Sequence, residues 1–345
     1  MYTFIGILIH LIVAIILGSF YLPYRSIKSW SWESAWLIGC VGACILFPFA
    51  LDLMTIPDVW QLLNKTPSHL LLWIYALGLV WGIGYFTLGL AMRHIGVALG
   101  MALSLGTTIM ILFFIPPLYQ SFLHPEDNFS NCFSLTIGNR FFLGGIFLAL
   151  IGVFMGIQAG KSRTKEFIAY LQQVSSVTSL KGIRYALVSG IATIGLGLGV
   201  EMGRPIADMS LLQHCHPFFQ YNLVLTVLLS GVFTTNLLAC LYLNIRHQSF
   251  ADYSSPIQWR NYGLALLAGV MWGSQLFLFG MGKSLVKDST YTWTIHLGVC
   301  ILTTTIWGLL YEEWKGVSSK TMFLNWTGIF FLLLSVLLIA IGNTL

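Results

Sequence analysis

Ten long apolar runs, separated by charges, prolines or polar clusters, divide this chain. A helix needs about 20 apolar residues to cross the hydrocarbon core of a bilayer, and each run has about that length. The runs are too long and too uniformly apolar for barrel strands, so the pattern predicts an all-α integral membrane protein. The predicted helices 1 to 10 cover residues 2–22, 34–54, 70–92, 97–120, 140–160, 182–203, 218–243, 261–283, 289–311 and 321–343.

The composition supports a surface that faces lipid. Of the 345 residues, 57% are hydrophobic and only 8% are charged, whereas a soluble domain carries about 25% charged residues. The net charge of +5 does not require a nucleic-acid partner, because the cytoplasmic loops of membrane proteins collect lysine and arginine. The chain is therefore expected to have the lipid bilayer, and no nucleic acid, among its partners.

The distribution of basic residues predicts the orientation. The connections after helices 1, 3, 5, 7 and 9 hold twelve lysines and arginines, and the other connections hold five. This bias puts the odd-numbered loops in the cytoplasm and both termini outside. The twelve residues are Arg25, Lys28, Arg93, Lys161, Arg163, Lys165, Lys181, Arg184, Arg246, Arg260, Lys315 and Lys320.

An internal repeat divides the helices into two sets of five. Helix 3 contains Trp81-Gly82-x3-Phe86-x2-Gly89, and helix 8 contains the same four residues at the same spacing from Trp272, 191 positions later. Because five is odd, the second set enters the membrane from the opposite side, as in many secondary transporters with a substrate site between their repeats. The predicted divisions are a first repeat (1–160), a basic cytoplasmic connection (161–181) and a second repeat (182–345). A generic helix-packing pattern is the alternative interpretation.

Several blocks resemble one family, the bacterial L-rhamnose–proton symporters. The most specific are Ser29-Trp30-Ser31-Trp32-Glu33 in the first loop and Trp81-Gly82-Ile83-Gly84 in helix 3. The further blocks are Phe20-Tyr21-x-Pro23, Gly89-Leu90-x-Met92-Arg93, Gly96, Trp272 with Gln275, Trp293-x-x-His296 and Glu313-Trp314. These matches extend from helix 1 to helix 10 and so cover essentially the whole chain.

This resemblance implies membership of the drug/metabolite transporter superfamily, with ten helices and proton-coupled uptake of L-rhamnose across the inner membrane. It implies cytoplasmic termini, in contrast to the charge distribution. The chain also departs from the family pattern. Ser289 stands where the family has an aspartate four residues before the helix 9 tryptophan, with Asp288 one residue earlier, and Glu201 replaces a neutral residue.

Polar and aromatic residues inside the membrane are the candidates for sugar binding, because a deoxy sugar offers hydroxyls for hydrogen bonds and an apolar face for stacking. We expect Asn236, Gln275 and His296 to bind hydroxyls, and Trp81, Trp272, Tyr291 and Trp293 to supply aromatic faces. Each assignment has an alternative. Gln275 suits a bond between helices equally well, Asn236 is more typical of such a bond than of a ligand, and the two helix-start tryptophans suit the membrane interface.

Proton coupling requires a group that titrates while the site alternates between the two sides. His10 and His296 have side chains of about the right ordinary pKa, and Glu201 is a third candidate. Glu201 lies 191 residues after His10, the offset of the repeat, but it also stands three residues before Arg204 and is suited to a helical salt bridge. Asp52 and Glu313, near helix ends, are expected at the membrane interface.

Two other classes of protein stay open. The chain is expected to be a sugar–proton symporter, but an exporter or permease of the same superfamily for another metabolite is an alternative. A membrane enzyme or sensor is a more distant one, since the sequence has no H-E-x-x-H, G-x-S-x-G or P-loop motif. No enzymatic activity and no cofactor are predicted.

Overall fold

The computed structural model describes residues 2–123, 137–171, 176–254, 259–285 and 289–342. Every regular element within these ranges is helical. The α-helices are α1 Tyr2–Ser19, α2 Leu22–Arg25, α3 Trp32–Val41, α4 Phe47–Thr55, α5 Val59–Lys65, α6 Ser68–Ile95, α7 Val97–Leu123, α8 Ile137–Leu171, α9 Ser176–Ala192, α10 Ile194–Met202, α11 Arg204–Leu212, α12 Asn222–His247, α13 Trp259–Leu285, α14 Ser289–Leu310 and α15 Ser319–Gly342.

Eight helical segments of the described ranges are long and apolar enough to cross a membrane. They are Ile5–Arg25, Trp32–Thr55, Ser68–Ile95, Leu143–Arg163, Leu180–Leu212, Pro217–His247, Trp259–Gly282 and Ser319–Ile339. The all-α membrane class is thereby confirmed. Two shorter apolar helices, Val97–Ile111 and His296–Leu310, lie in predicted helices 4 and 9, and the total of ten spans stays a prediction.

Most of the predicted connection 161–181 is helical. Helix α8 continues to Leu171, and α9 begins at Ser176. Lysine, arginine, glutamate, alanine and leucine are good helix formers in water, and residues 161–171 are rich in them. The polar composition therefore marks where the chain leaves the apolar layer, not where the helix ends.

The chain forms two compact units, and each combines segments from both predicted repeats. Unit 1 comprises Met1–Phe86 and Gly195–Lys287. Unit 2 comprises Thr87–Ile194 and Asp288–Leu345. The inverted repeat itself stays a prediction of the sequence.

Small residues bring the helices of unit 1 into close contact, as is common where helices associate without water. A Cβ added to Gly78 of α6 would meet the Leu228 carbonyl of α12, and one added to Gly269 of α13 would meet the Gly39 carbonyl of α3. Gly78 and Gly269 are also 191 positions apart. The spacing of 191 residues that relates Trp81 to Trp272 thus also relates the two glycines at these close helix contacts.

Glycines and short hydroxyl side chains hold the helices of unit 2 together. Gly152 of α8 lies against the Gly328 carbonyl of α15, where an added Cβ would come within 3.0 Å of the oxygen. Between α7 and α9, the hydroxyls of Ser104 and Ser189 share a hydrogen bond of 2.8 Å. Each contact allows two backbones to approach closely while leaving the buried polar groups satisfied.

A carboxylate caps the start of α7 in unit 2. Glu313 Oε1 accepts a hydrogen bond from the Val97 amide (3.0 Å), and Oε2 accepts one from the Ala98 amide (3.1 Å). The side chain also lies against Gly96, whose positive φ of 88° starts the helix. The sequence prediction put Glu313 at the interface, but its side chain is buried because the first amides of a helix attract an anion.

Replacing Glu313 with glutamine is expected to lower the stability of the purified protein by about 1–2 kcal/mol, because a neutral amide loses the charge-assisted bonds to the helix start. The measurement is the midpoint of thermal denaturation in detergent. Glu312→Gln is the matched control. Its exposed ion pair with Lys315 is worth about 0.5 kcal/mol. Equal destabilisation by both substitutions would contradict the capping role.

Candidate functional site

The two tryptophans of the repeated pattern come together in unit 1. The ring centroids of Trp81 on α6 and Trp272 on α13 are 5.4 Å apart. Both side chains are buried inside the protein rather than exposed on its surface. The glycine next to each indole also lies in close helix contact, Gly82 against Thr235 and Gly273 against Ala43. The W-G pattern therefore brings one aromatic ring from each predicted repeat to the same place.

Further aromatic rings extend this pair into a continuous cluster. Tyr85 stacks on Trp272 with centroids 3.7 Å apart, and Trp36 lies 4.6 Å from Tyr85. Tyr24 completes the group, 5.3 Å from Trp36. We call Tyr24, Trp36, Trp81, Tyr85 and Trp272 the aromatic cluster. None of its side chains is more than 7% exposed, so in this conformation the cluster is closed to solvent.

Sequence reasoning missed Tyr24, Trp36 and Tyr85, although helical spacing held a signal for two of them. Tyr85 stands four residues after Trp81, and Trp36 stands four residues after Trp32 of the W-S-W-E block. Residues four apart share one face of a helix. The stacking of Trp32 on Trp36, with centroids 5.0 Å apart, follows from that spacing.

Two hydroxyls distinguish this cluster from ordinary core packing. The hydroxyls of Tyr24 and Tyr85 lie near each other. Both are buried, and neither meets the geometry of a hydrogen bond with any described residue. A buried hydroxyl without a partner costs about 1–3 kcal/mol, so a core that needed only packing is better served by phenylalanine. Packing alone therefore does not account for these two hydroxyls.

Asn236 holds the cluster in place through three hydrogen bonds. Its amide donates to the carbonyls of Gly82 (3.1 Å) and Val232 (2.8 Å). Its Oδ1 accepts from the Trp36 indole N–H at 2.9 Å. Asn236 thus connects α12 to α6 and orients the Trp36 ring, in agreement with the interhelical alternative. Direct contact with a sugar stays a prediction for this residue.

The other predicted sugar ligands belong to different units, and each is described within its own unit. Gln275 is buried one turn beyond Trp272 on α13 in unit 1. His296 is buried on α14 in unit 2. Tyr291 and Trp293 belong to α14 as well, but their side chains lie outside the described residues. Only Trp81, Trp272 and Asn236 are brought together by contacts of the described part of the chain.

The predicted proton-coupling residues have different surroundings. His10 on α1 is fully buried, with its ring 4.7 Å from Phe279 and against Gly282 of α13. Neither of its nitrogens has a hydrogen-bond partner among the described residues. Glu201 forms a salt bridge of 2.6 Å with Arg204 on the next turn. That pair matches the structural alternative, while a role in coupling stays a prediction.

A network of hydrogen bonds around the buried carboxylate of Glu33 lies at the start of the segment Trp32–Thr55. Glu33 Oε1 is 2.7 Å from His247 Nδ1 and accepts a hydrogen bond from Ser249 Oγ at 3.2 Å. Ser249 also donates to Asn244 Oδ1 at 2.8 Å. The glutamate of the W-S-W-E block therefore ties α3 to the end of α12. Within the described ranges, no group of three histidine, cysteine, aspartate or glutamate side chains is arranged to hold a metal ion.

Nearly the whole chain matches a known protein family. Residues 2–344 match the family described as L-rhamnose-proton symport protein. The L-rhamnose-proton symporter of Salmonella gallinarum is 26% identical over 350 residues, covering 98% of both chains. The protein of the same name from Yersinia pestis is 27% identical over 345 residues, covering 98% of this chain and 97% of the relative.

One solved structure is similar over 96% of both chains, with 14% identity and a TM-score of 0.49, below the level that identifies a shared fold. The sequence match is the stronger result because it extends across both units and all the helices described above. It identifies a protein of sugar–proton transport rather than an enzyme. The chain belongs to the L-rhamnose-proton symport protein family.

Proposed function

We propose that this protein imports L-rhamnose together with a proton across the bacterial inner membrane. The observation that carries the proposal is the family match over residues 2–344, supported by relatives named for this activity. The proton gradient supplies the energy, so uptake needs no nucleotide. L-Rhamnose and the proton are then the two small partners of the protein.

The aromatic cluster is the proposed binding place for the sugar. A deoxy sugar has an apolar face and a methyl group that suit an indole surface, and its hydroxyls need buried polar partners. The Tyr85 ring covers the Trp272 indole in this conformation. In our proposal the sugar takes the place of that ring, and the Tyr24 and Tyr85 hydroxyls bond to the sugar hydroxyls. Gln275 and Trp81 complete the site on α13 and α6.

Alternating access in a ten-helix protein is the proposed mechanism. The closed cluster fits an occluded conformation, which must open to one side and then to the other. The repeat spacing of 191, shared by the Trp81–Trp272 pair and by the Gly78 and Gly269 contacts, supports two inverted five-helix repeats. Following the basic residues, we place the odd-numbered loops in the cytoplasm and both termini in the periplasm.

Uptake of labelled L-rhamnose into a transport-deficient bacterial strain tests this proposal. Cells that express the chain are expected to accumulate the sugar above its external concentration, while vector-only cells do not. A protonophore should abolish the accumulation within minutes. Uptake of another sugar but not of L-rhamnose would contradict the substrate, and accumulation that persists with the protonophore would contradict the coupling.

Tyr85→Phe tests the hydroxyl of the cluster. This variant keeps the stacked ring and removes one polar atom, so we expect apparent affinity for L-rhamnose to fall about 10-fold, the equivalent of one hydrogen bond of about 1.4 kcal/mol. The measurement is the sugar concentration that half-saturates uptake. Tyr242→Phe is the control, because that ring lies on the exposed face of α12. If the sugar concentration that half-saturates uptake is unchanged in Tyr85→Phe, the Tyr85 hydroxyl does not contact the sugar.

A further inference from the structure

Asp52 is a buried carboxylate that sequence reasoning placed at the interface. It lies on α4, three residues before the end of the segment Trp32–Thr55, and its side chain is only 1% exposed. Neither carboxylate oxygen has a hydrogen-bond partner among the described residues. This isolation distinguishes Asp52 from Glu33, which bonds to Ser249, and from Glu201, which pairs with Arg204.

The groups around Asp52 are polar but uncharged. The Thr226 hydroxyl of α12 lies close enough to act on the carboxyl, though the two do not meet the geometry of a hydrogen bond. Cys215, after α11, is the ionisable neighbour, and burial raises the pKa of its thiol, which keeps it neutral. Its thiol donates to the Thr55 carbonyl, and Asn222 donates to the Thr55 hydroxyl at 3.0 Å.

The charged side chains that the structure describes on α11 have other partners or are exposed. On α11, Arg204 pairs with Glu201, and Asp208 is exposed. On α13, Gly282 lies against His10, and Lys283 has a side chain outside the described residues. Among the described residues, no cation acts on the Asp52 carboxyl. Its neighbours are the Thr226 hydroxyl and the neutral Cys215 thiol.

An ionised carboxylate cannot stay in such surroundings without cost. Burying an unpaired charge in a protein interior or a membrane costs several kcal/mol, and binding a proton removes that charge. A proton on Asp52 therefore stabilises the closed conformation described here. When the surroundings of Asp52 open to water, hydration stabilises the ionised carboxylate, and the proton is released. These are the properties that a coupling residue requires.

We propose that Asp52 binds the transported proton and releases it on the other side of the membrane. The inference rests on the proposed function, since it names the residue that links proton movement to sugar movement. Proton transfer involves only the carboxyl and water: the carboxylate takes up one proton on one side, and the carboxylic acid gives it to water on the other. Thr226 and Ser210, both with buried unpartnered hydroxyls, are polar groups in the same region.

Asp52→Asn is the test, because asparagine has nearly the shape of the protonated acid and cannot ionise. The purified variant is placed in proteoliposomes. One assay follows exchange of labelled for unlabelled L-rhamnose at equal concentrations without a pH gradient. The other follows accumulation of labelled L-rhamnose driven by an inward proton gradient. We expect exchange within about 3-fold of the natural protein, and accumulation that does not rise above equilibrium.

Asp208→Asn is the matched control, an exposed aspartate of α11 that should leave both assays unchanged. Asp52→Glu keeps a carboxyl on a longer side chain and is expected to accumulate sugar with a shifted dependence on pH. If the asparagine variant does not fold, an unchanged pH dependence in Asp52→Glu overturns the proposal.

Accumulation by Asp52→Asn at the level of the natural protein also overturns it. The proposal is equally wrong if His10→Asn abolishes accumulation while Asp52→Asn preserves it, because coupling then belongs to the histidine. Failure of the natural protein to exchange L-rhamnose at all is a different result. It counts against the proposed function, and it is seen before any variant is compared.

Discussion

Trp272→Ala is expected to lower the affinity of the protein for L-rhamnose about 10–100-fold. The indole supplies the flat apolar surface in the middle of the aromatic cluster, between Trp81 and Tyr85. Loss of that surface removes about 1.5–3 kcal/mol of apolar burial from the bound sugar. Trp272→Phe keeps part of the surface and should give an intermediate value. The measurement is the dissociation constant of labelled L-rhamnose from the purified protein.

Affinity is measured only on folded protein, because truncation of a buried tryptophan also costs about 3–5 kcal/mol of stability. A single symmetric peak in size-exclusion chromatography selects the folded fraction. Trp259→Ala is the control, since Trp259 lies on the same helix and is 83% exposed. It should bind like the natural protein. A folded Trp272→Ala protein with affinity within 2-fold of the natural value would place the sugar elsewhere.

Gly269→Ala is expected to lower the stability of the protein by about 3 kcal/mol. The added Cβ would lie against the Gly39 backbone, within 2.7 Å of the carbonyl carbon. Backbone cannot move aside as a flexible side chain can, so α3 and α13 must separate. The thermal midpoint in detergent should fall by about 4 °C. Gly78→Ala, at the matching position of α6, should produce a similar fall.

Gly280→Ala is the control on the same helix, because no described atom lies within 4 Å of the position of its added Cβ. Alanine favours helix over glycine by up to about 1 kcal/mol, so the midpoint should stay or rise slightly. Equal losses in Gly269→Ala and Gly280→Ala would show that loss of a glycine, and not helix contact, is responsible. A loss at Gly269 but none at Gly78 would weaken the case for matching repeats.

Local patterns in the sequence predicted the helices well, because membrane insertion depends on runs of apolar residues. The prediction of 34–54 is close to the observed span Trp32–Thr55, and that of 261–283 is close to Trp259–Gly282. The end of α8 at Leu171 was missed for the complementary reason. Hydropathy shows where the apolar part of a helix ends, whereas helix propensity decides where the helix itself ends.

Of the aromatic cluster in the proposed site, the sequence indicated only the part that repeats, and its role in binding stays a prediction. The W-G pattern identified Trp81 and Trp272, which the fold brings within 5.4 Å. Tyr85 follows Trp81 by one helical turn, but nothing local distinguishes Tyr24 from other aromatic residues. The unpartnered hydroxyls of both result from burial by distant segments. Asp52 was missed for the same reason. Its position near a helix end suggested the interface, but residues of α12 and of the loop before it, far along the chain, enclose its side chain.

Proton movement that accompanies sugar movement is the central claim, and a pH electrode measures it directly. L-Rhamnose is added to a lightly buffered suspension of de-energised cells that express the chain. We predict that the medium becomes alkaline as sugar enters, in proportion to the sugar taken up, and that a protonophore abolishes the change. Entry of labelled L-rhamnose without any alkalinisation would contradict proton symport by this protein.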